Sequence, residues 1–379
     1  MRIAKATPLL LIALVACSSG DTQNKAADAA VDTLVADVTI AGPGGADADG
    51  FGSVSGLASR ANGDVLVADG LNHVVHIFAQ DGAHRFTIGR QGSGPGEFNR
   101  PCCLAVDARD RLWVRDGDMA YDVFQLEDDS AYFLRRVRMA HNDLNRHAPV
   151  TFDGAGNIID IGMKPDSATG ERGLYRLHLD SASRVTRKVR LHGPPEDSTA
   201  IRKVTRQIPG KVATYYSYQP HGPAELVAHS PKQGFAHALS SRYAIDWRDG
   251  QGNLVRHITQ GIVEGPSLSA GEKANADSSL AQNAKHLGIR VSELGFEVPP
   301  RKQPLRSLFF DRDGRLWVEL SVADGAPRTA HVYSTDGTLE RTVQWPASIR
   351  LTDGEIRNGT AWGIARDELG VETVVRLRL

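Results

Sequence analysis

Five residues at comparable places in successive repeats of the sequence carry side chains that could bind an anion or transfer a proton. They are Arg100, Cys102, His147, Glu225 and Arg306. Guanidinium groups pair with carboxylates and phosphates, and imidazole and carboxylate groups are common general acids and bases. If the repeats surround an axis, these side chains would lie at its mouth. If the axis carries a site, this set of residues could bind an anion or serve in acid–base chemistry.

Two adjacent cysteines, Cys102 and Cys103, stand at the start of a predicted strand. Neighbouring side chains of a strand point to opposite faces, and their Cα atoms, about 3.8 Å apart, are closer than the usual disulfide minimum of roughly 4.4 Å. Three interpretations stay open: two packed, reduced cysteines, a vicinal disulfide, or a redox or metal-binding pair.

Two aspartates, Asp69 and Asp116, end equivalent predicted second strands. Aspartate at such a position commonly accepts hydrogen bonds from the backbone of the following turn. Turn capping is the expected role, and a ligand contact is the alternative.

The first seventeen residues indicate export. Arg2 and Lys5 precede a short apolar stretch over residues 8–16, which ends in small residues before Cys17. This is the pattern of a secretory signal, and the stretch is shorter than the roughly 20 residues that span a bilayer. The pattern resembles a bacterial lipobox, which implies a signal peptide over 1–16 and a lipid on Cys17. An ordinary secretory signal is the alternative.

The resemblance also implies where the protein goes. Ser18 after the cysteine is typical of sorting to the outer membrane, so we expect a lipid-anchored protein facing the periplasm. Residues 17–36 are rich in Ala, Asp and Thr and predict a flexible tether. Lys+Arg number 44 against 45 Asp+Glu, so no basic excess points to a nucleic-acid partner.

Beyond the tether, the chain repeats. Residues 63–69 align with residues 110–116, and a weaker copy occupies 156–160. Each unit contains short aliphatic runs separated by turn residues, which is typical of a four-stranded propeller blade. Predicted inner strands begin near Ser55, Cys102, Ala148, Glu225 and Arg306, with a last unit over 349–379. The fold class is therefore all-β, a six-bladed β-propeller over 37–379, in which the N-terminal strand near 38–40 completes the last blade.

The first unit carries a family resemblance. Residues 67–78, with Asp81-Gly82, the glycine-rich run 92–98 and Pro101, resemble an NHL repeat. The resemblance implies a six-bladed propeller like that of the TolB-type relatives. The second unit departs from the motif, with residues 116–121 where its Asn-His would stand. Because such propellers include ligases, lyases, receptors and scaffolds, the resemblance implies a fold rather than one activity.

Catalysis is the less favoured expectation. A lyase or lactonase-type propeller would need several carboxylate, Asn or His ligands at the axial mouth, and only Glu225 and His147 align there. No His or Cys motif has metal-ligand spacing. We expect a non-catalytic binding module without metal or cofactor, and a periplasmic lyase or lactonase-type hydrolase at the axial mouth is the alternative.

The three longest connections, at 162–173, 192–223 and 259–304, leave the same predicted face. Loops longer than about 12–15 residues are often functional, so this face is expected to bind a protein, peptide or glycan. Tyr215, Tyr216 and Tyr218 lie near cationic residues and could contact such a ligand, or could hold the insertion onto the ring. A helix is predicted from Ser267 or Ser269 to Gly288, and a shorter one after Asp197-Ser198.

Overall fold

The computed structural model describes residues 22–23, 31–44, 50–117, 120–138, 150–153, 156–165, 172–180, 184–191, 200–208, 211–230, 232 and 234–378. Three strands come first in this part of the chain: β1 (Thr22–Gln23), β2 (Val31–Thr33) and β3 (Val35–Ile40). In the described residues, six antiparallel sheets follow, and we call them blades 1 to 6.

Each blade begins with an inner strand and continues outward. Blade 1 comprises β4 (Val54–Ser59), β5 (Val65–Asp69), β6 (Val74–Phe78) and β7 (His84–Ile88). Blade 2 comprises β8 (Pro101–Val106), β9 (Arg111–Asp116), β10 (Ala120–Leu126) and β11 (Ala131–Arg138). Blade 3 comprises β12 (Thr151–Phe152), β13 (Ile158–Pro165), β14 (Arg172–Leu179) and β15 (Val185–Arg190). A separate hairpin follows, formed by β16 (Ile201–Ile208) and β17 (Lys211–Tyr218).

The second half of the ring has the same plan. Blade 4 is β18 (Glu225–Ser230), β19 (Gly234–Leu239), β20 (Ala244–Arg248) and β21 (Leu254–Thr259), and helices α1 (Ala270–Leu287) and α2 (Val291–Leu294) follow it. Blade 5 comprises β22 (Leu305–Phe310), β23 (Leu316–Leu320), β24 (Arg328–Tyr333) and β25 (Leu339–Trp345). Blade 6 contains β26 (Ile349–Arg357), β27 (Thr360–Arg366) and β28 (Glu372–Arg378).

The N-terminal strand closes the ring. β3 is the fourth strand of blade 6 and pairs antiparallel with β28, with Thr39 opposite Val375. Closure pairs a sheet edge that an open array would leave exposed. The predicted six-bladed, all-β propeller is therefore confirmed.

The flexible tether predicted over 17–36 is wrong at two places, because β1 pairs with β21 of blade 4 and the last residues of the segment are also paired. β2 adds a parallel strand to the outer edge of blade 5, with Val31 opposite Thr342, and Leu34 is 2 % exposed. The local composition is polar, but unpaired edges of neighbouring blades offer backbone hydrogen-bond partners that such a chain can use without a core of its own.

The apolar core lies between neighbouring blades. Leu66 and Ile77 of blade 1 pack in one cluster with Leu104, Val114 and Phe124 of blade 2. Blades 2 and 5 each contain an equivalent polar contact. The indole Nε1 of Trp113 donates to Asp107 Oδ2 at 3.1 Å in blade 2, and that of Trp317 donates to Asp311 Oδ2 at 3.2 Å in blade 5. Both aspartates also fix the turn into the second strand of their blade.

The hairpin β16–β17 and the helices α1 and α2 form one unit, which we call the cap. Leu280, Ala284 and Leu287 of α1 pack with Val204 and Tyr215 of the hairpin in a cluster that contains no blade residue. The predicted α1 is present: Ser269 and Glu272 form its capping box, and Gly288 ends it in the left-handed region at φ 57°.

The short helix predicted after Asp197-Ser198 is wrong. Residues 201–208 form strand β16, and Asp197 and Ser198 lie outside the described residues. The physical reason is pairing: β16 and its partner β17 are rich in β-branched and aromatic residues, which favour a hairpin when each strand has the other to pair with. No helix in the described ranges is long and apolar enough to cross a membrane.

Candidate functional site

A cavity of about 620 Å³ runs along the axis beside blades 6, 1 and 2. Its upper part lies at the face of the ring where each inner strand begins, which we call the insertion face because both long crossovers join the blades there. The turn after β22 contributes Arg312 at the other end. The walls are the inner strands β26, β4 and β8, with two residues that follow β5 and β9 (Gly70 and Gly117).

Three arginines line the cavity near the insertion face, and two of them pair with Glu372. Glu372 accepts a hydrogen bond from Arg366 Nη2 at 2.6 Å, and Arg350 Nη2 lies 3.4 Å from the same oxygen. The other oxygen of Glu372 accepts the Val54 N–H at 2.8 Å, which ties blade 6 to blade 1. The third arginine, Arg100, also lines the cavity.

Arg100 differs from the other two arginines. It immediately precedes β8, it is exposed, and its side chain forms no ion pair or hydrogen bond with the part of the chain that the structure describes. Its backbone is held instead, since Asp116 Oδ1 accepts the N–H groups of Arg100 and Asn99, each at 2.8 Å. A fixed backbone with an uncommitted guanidinium is a suitable donor for a carboxylate or phosphate.

In the lower part of the cavity, the charged side chains Glu355 and Arg312 pair with each other. Glu355 accepts two hydrogen bonds from Arg312 Nε, at 2.9 and 3.0 Å, and one from Ser59 Oγ at 2.9 Å. Both of its oxygens therefore have donors. Among the described lining residues near the insertion face, three arginines (Arg100, Arg350 and Arg366) accompany one carboxylate, Glu372.

The two strand-ending aspartates hold backbone rather than line the cavity. Asp69 is fully buried and accepts the N–H groups of Gly52 and Ser53 at 2.9 and 3.0 Å. Asp116 caps the segment before β8 and lies 2.6 Å from Arg136 Nη2. Arg136 Nε is also 2.9 Å from Asp122, and burial raises the pKa of that carboxyl to about 6. These aspartates position the residues that enter the cavity.

Cys102 and Cys103 line the cavity as a vicinal disulfide, with Cα atoms 3.7 Å apart. The backbone makes the bond possible: Cys103 has φ +54°, so its side chain does not alternate away from that of Cys102 as it would in a regular strand. Of the three interpretations left open by the sequence, the structure has the disulfide.

Two of the remaining predicted axial residues, Glu225 and Arg306, do not line the cavity. Glu225, at the start of β18, lies 2.8 Å from His237 Nε2, and Arg306 in β22 lies 3.2 Å from Glu319 Oε1. His147 is outside the described residues. The repeat register placed Glu225 and Arg306 correctly at the starts of inner strands, but the cavity follows the walls of blades 6, 1 and 2 rather than the whole ring.

The three tyrosines of β17 do not point to the same face of the hairpin, because side chains alternate along a strand. Tyr215 faces α1, with its ring centroid 6.4 Å from that of His286. Tyr216 and Tyr218 are 47 % and 64 % exposed and pair across the hairpin with Lys203 and Ile201. Tyr215 therefore holds the cap together, and the other two present their rings to solvent.

Sequence reasoning missed most of the charges in the cavity. Arg350, Glu355, Arg366 and Glu372 belong to blade 6, the unit that diverges most from the repeat, so no alignment pointed to them. Arg312 lies in the turn that follows β22. Its position shortly after a predicted inner strand was the one feature of the sequence that could have identified Arg312 as a cavity residue.

A second cavity of about 510 Å³ lies between the turns of blades 2 and 3. Its arginines are accompanied by Asp107, Asp153 and Asp180, and Arg111 already pairs with Asp107 at 2.7 Å. The charges there are matched, so the axial cavity is the stronger candidate for an anion. Within the described ranges, no three His, Cys, Asp or Glu side chains are grouped so that they could hold a metal ion.

Comparisons with known proteins agree with the fold. A family model described as a 6-bladed β-propeller matches residues 51–128. A search of curated proteins found no match. An exported protein from Bacteroides fragilis is similar in structure, with 12 % sequence identity, a TM-score of 0.50 and coverage of 91 % of this chain and 94 % of that one.

A virginiamycin B lyase from Staphylococcus aureus is more distant, with 9 % identity, a TM-score of 0.41 and coverage of 86 % of this chain and 94 % of that one. At such identities a structural likeness concerns the fold and not the activity. The sheet topology, the family match and the likeness to the Bacteroides fragilis protein identify the chain as a six-bladed β-propeller.

Proposed function

We propose that this chain is an exported, lipid-anchored β-propeller that binds a small organic anion in its axial cavity without catalysing a reaction. The observation that carries the proposal is the Arg100 guanidinium, which has no partner among the described residues and lines the same cavity as Arg350 and Arg366, the two arginines that pair with Glu372. A bound carboxylate would supply the missing negative charge.

The apolar lining narrows the class of ligand. Leu57, Leu71, Pro101, Leu104 and Ile364 line the same cavity as the arginines. Burying an apolar group against such walls contributes roughly 25 cal/mol per Å² removed from water. The favoured ligand is therefore a carboxylate with an apolar body.

Binding without turnover is supported by the state of the two carboxylates. Glu372 and Glu355 each accept hydrogen bonds on both oxygens, from arginines and from Val54 N–H or Ser59 Oγ. Such partners occupy the lone pairs that a general base would use. Neither group is placed to abstract a proton from a ligand.

The test of anion binding uses benzoate as the probe and benzamide as its neutral counterpart, titrated calorimetrically into the purified mature protein. Benzoate is expected to bind saturably and benzamide at least tenfold more weakly. Arg100→Met should weaken benzoate binding about tenfold or more, since one charge-assisted contact contributes on the order of 1.5–3 kcal/mol.

The matched control is Arg290→Met. Arg290 is an exposed arginine on the cap that pairs with Glu293, and its replacement should leave benzoate affinity unchanged. Absence of saturable benzoate binding, equal binding of benzamide, or equal losses in the two variants would contradict the proposal.

The lipid anchor is supported by the lipobox ending at Cys17, which lies outside the described residues. A diacylglycerol-type lipid on this residue would hold the propeller at the periplasmic side of the outer membrane. Cys17→Ala should move the protein from the membrane fraction to the soluble periplasmic fraction. A Cys17→Ala protein that still sediments with membranes would show that another feature anchors it.

A second candidate function is the binding of a protein, peptide or glycan on the cap, where Tyr216 and Tyr218 are exposed. Aromatic rings beside a cation such as Lys203 suit a sugar or peptide. Because the cap has its own apolar core, such a partner would bind independently of the axial cavity.

A further inference from the structure

The Cys102–Cys103 disulfide lies next to the proposed anion contact. Cys102 is two residues after Arg100, and both cysteines line the axial cavity. Any change in the backbone at these cysteines is therefore passed directly to the arginine that the proposed ligand would meet.

The backbone at Cys103 is in a conformation that cysteine rarely adopts. Its φ of +54° lies in the left-handed region, where the other non-glycine residues of the described chain are His73, Asp110, His221 and Asn358. Asn, Asp and His are the types that tolerate this region best, and other L-residues lose roughly 1–2 kcal/mol there. Cys103 adopts this region because it is bonded to Cys102. In a regular strand the two adjacent side chains would point to opposite faces, and their sulfur atoms could not meet.

This conformation interrupts the pairing of β8 with β9. Pro101 is opposite Asp116 and Cys102 is opposite Arg115, but the next pair is Ala105 with Trp113. Two residues of β8 therefore face one of β9, which is a β-bulge. Since a one-residue change of register moves side chains to the other face, the bulge determines on which side of the strand the residues before it lie.

The neighbouring strand fits this bulge closely. Ser55 Oγ donates to Pro101 O at 2.7 Å. A Cβ atom at Gly56 would lie only 2.7 Å from the Cys103 nitrogen. β8 therefore has one well-defined position against β4, and a change at Cys103 cannot be absorbed by a shift toward β4.

We propose that the Cys102–Cys103 disulfide is a redox switch for the axial anion site. It holds β8 in the bulged register that presents Arg100 to the cavity, and its reduction lowers the affinity for the anion. The inference rests on the proposed function, which names the ligand site that the switch controls.

The switching step is a thiol–disulfide exchange. A dithiol reductant such as dithiothreitol donates two electrons and two protons, the bond between the two sulfurs breaks, and two thiols form while the reductant closes to its cyclic disulfide. In the reduced protein, the bond to Cys102 no longer holds Cys103 in the left-handed region. It relaxes toward the extended region, β8 loses the bulge, and Arg100 leaves its position at the mouth.

Two double variants separate the bond from the backbone conformation that it imposes. Cys102→Ser/Cys103→Gly lacks the disulfide but keeps a residue that adopts φ +54° without cost. Cys102→Ser/Cys103→Val lacks the disulfide and carries a β-branched residue that is strongly disfavoured there. Cys102 and Cys103 thus act as positioning residues, and the glycine variant is the rescue.

The experiment measures benzoate affinity by calorimetry for the oxidised protein, for protein reduced with dithiothreitol under nitrogen, and for both variants. Reduction and the Ser/Val variant should each weaken binding at least tenfold. The Ser/Gly variant should remain within about threefold of the oxidised protein and be insensitive to dithiothreitol. Equal affinity of the oxidised and reduced proteins, or equal weakening in both variants, would overturn the switch.

A second measurement does not depend on any ligand. Amide hydrogen exchange over residues 101–106 should become at least tenfold faster on reduction of the wild-type protein and should not respond to dithiothreitol in the Ser/Gly variant. Unchanged exchange in the reduced wild type overturns the switch even if benzoate binds. Faster exchange in a protein that never binds benzoate supports the switch in β8 and counts against the proposed function alone.

Discussion

The two halves of the insertion face are built in opposite ways. On the side of blades 4 and 5, long crossovers fold into the cap, whose apolar cluster contains residues of the cap alone. Few polar contacts join it to the ring; among them, Ser269 Oγ donates to Asp324 at 2.8 Å and Lys302 Nζ donates to Val322 O at 2.8 Å. On the side of blades 6, 1 and 2, the connections are short and the inner strands themselves line a charged cavity.

This difference shows that the amount of inserted chain and the presence of unmatched charge are separate properties. The cap satisfies most of its own groups: α1 has a capping box, Lys302 pairs with Glu272, and Asn283 donates to Ser217 Oγ at 2.8 Å. The cavity side leaves Arg100 without a partner among the described residues. A ligand carboxylate or phosphate can contribute binding energy by pairing with a guanidinium that has no such partner in the protein.

The largest expected effect of a single substitution is local to the cap. Leu280→Ala removes the 4 % exposed leucine at the centre of the cap cluster, which typically costs about 2–5 kcal/mol. Because the cluster contains no blade residue, amide exchange of α1 should accelerate about 30-fold or more while exchange in the blade strands stays unchanged. Benzoate affinity should stay within twofold.

Hydrogen exchange by mass spectrometry, with Leu369→Ala as a control at a 90 % exposed position, checks this independence. If Leu280→Ala accelerates exchange in blades 1, 2 and 6 or abolishes benzoate binding, the two halves are coupled and the comparison fails.

A smaller effect is expected on the cavity side, but it should reach the ligand. Gly56→Ala places a Cβ 2.7 Å from the Cys103 nitrogen, and such overpacking typically costs about 1–3 kcal/mol. The strain falls on the bulge that positions Arg100, so benzoate affinity should fall at least fivefold. Thermal unfolding and calorimetry on the same samples measure both quantities.

Gly261→Ala is the matched control, because a Cβ there meets nothing within 4 Å. It should change neither stability nor affinity appreciably. A Gly56→Ala protein that loses stability but binds benzoate normally would show that the β4–β8 contact is structural only, and would weaken the link between the bulge and the site.

Much of the fold was predictable from the sequence because it depends on short-range patterns. Aliphatic runs between turn residues indicated four strands per repeat, and the predicted inner strand starts near Ser55, Cys102 and Arg306 lie within a residue of the observed Val54, Pro101 and Leu305. The helix limits at Ser269 and Gly288 followed from local capping chemistry. The hairpin β16–β17 was missed because its strands are stabilised mainly by each other, and a partner strand is not visible in a local window.

The candidate site was predictable only in part. Arg100 and Cys102 were named because they stand at a repeat position, and both line the cavity. Glu225 and Arg306 were named on the same ground, but they pair with His237 and Glu319. Whether an ionisable residue is free depends on neighbours far away in sequence, which a repeat alignment does not contain.

The sequence by itself determined the number of blades, the closing strand, the caps of α1 and the presence of two adjacent cysteines. All of these depend on residues within one strand, one turn or one repeat. Only the tertiary structure decided that Glu372 of the last blade meets the N–H of Val54 in the first, that Cys102 and Cys103 are bonded, and that Arg100 has no carboxylate partner among the described residues. Those properties arise when distant segments close a ring, because ion pairing and cavity shape depend on which charges are brought within a few ångströms of one another.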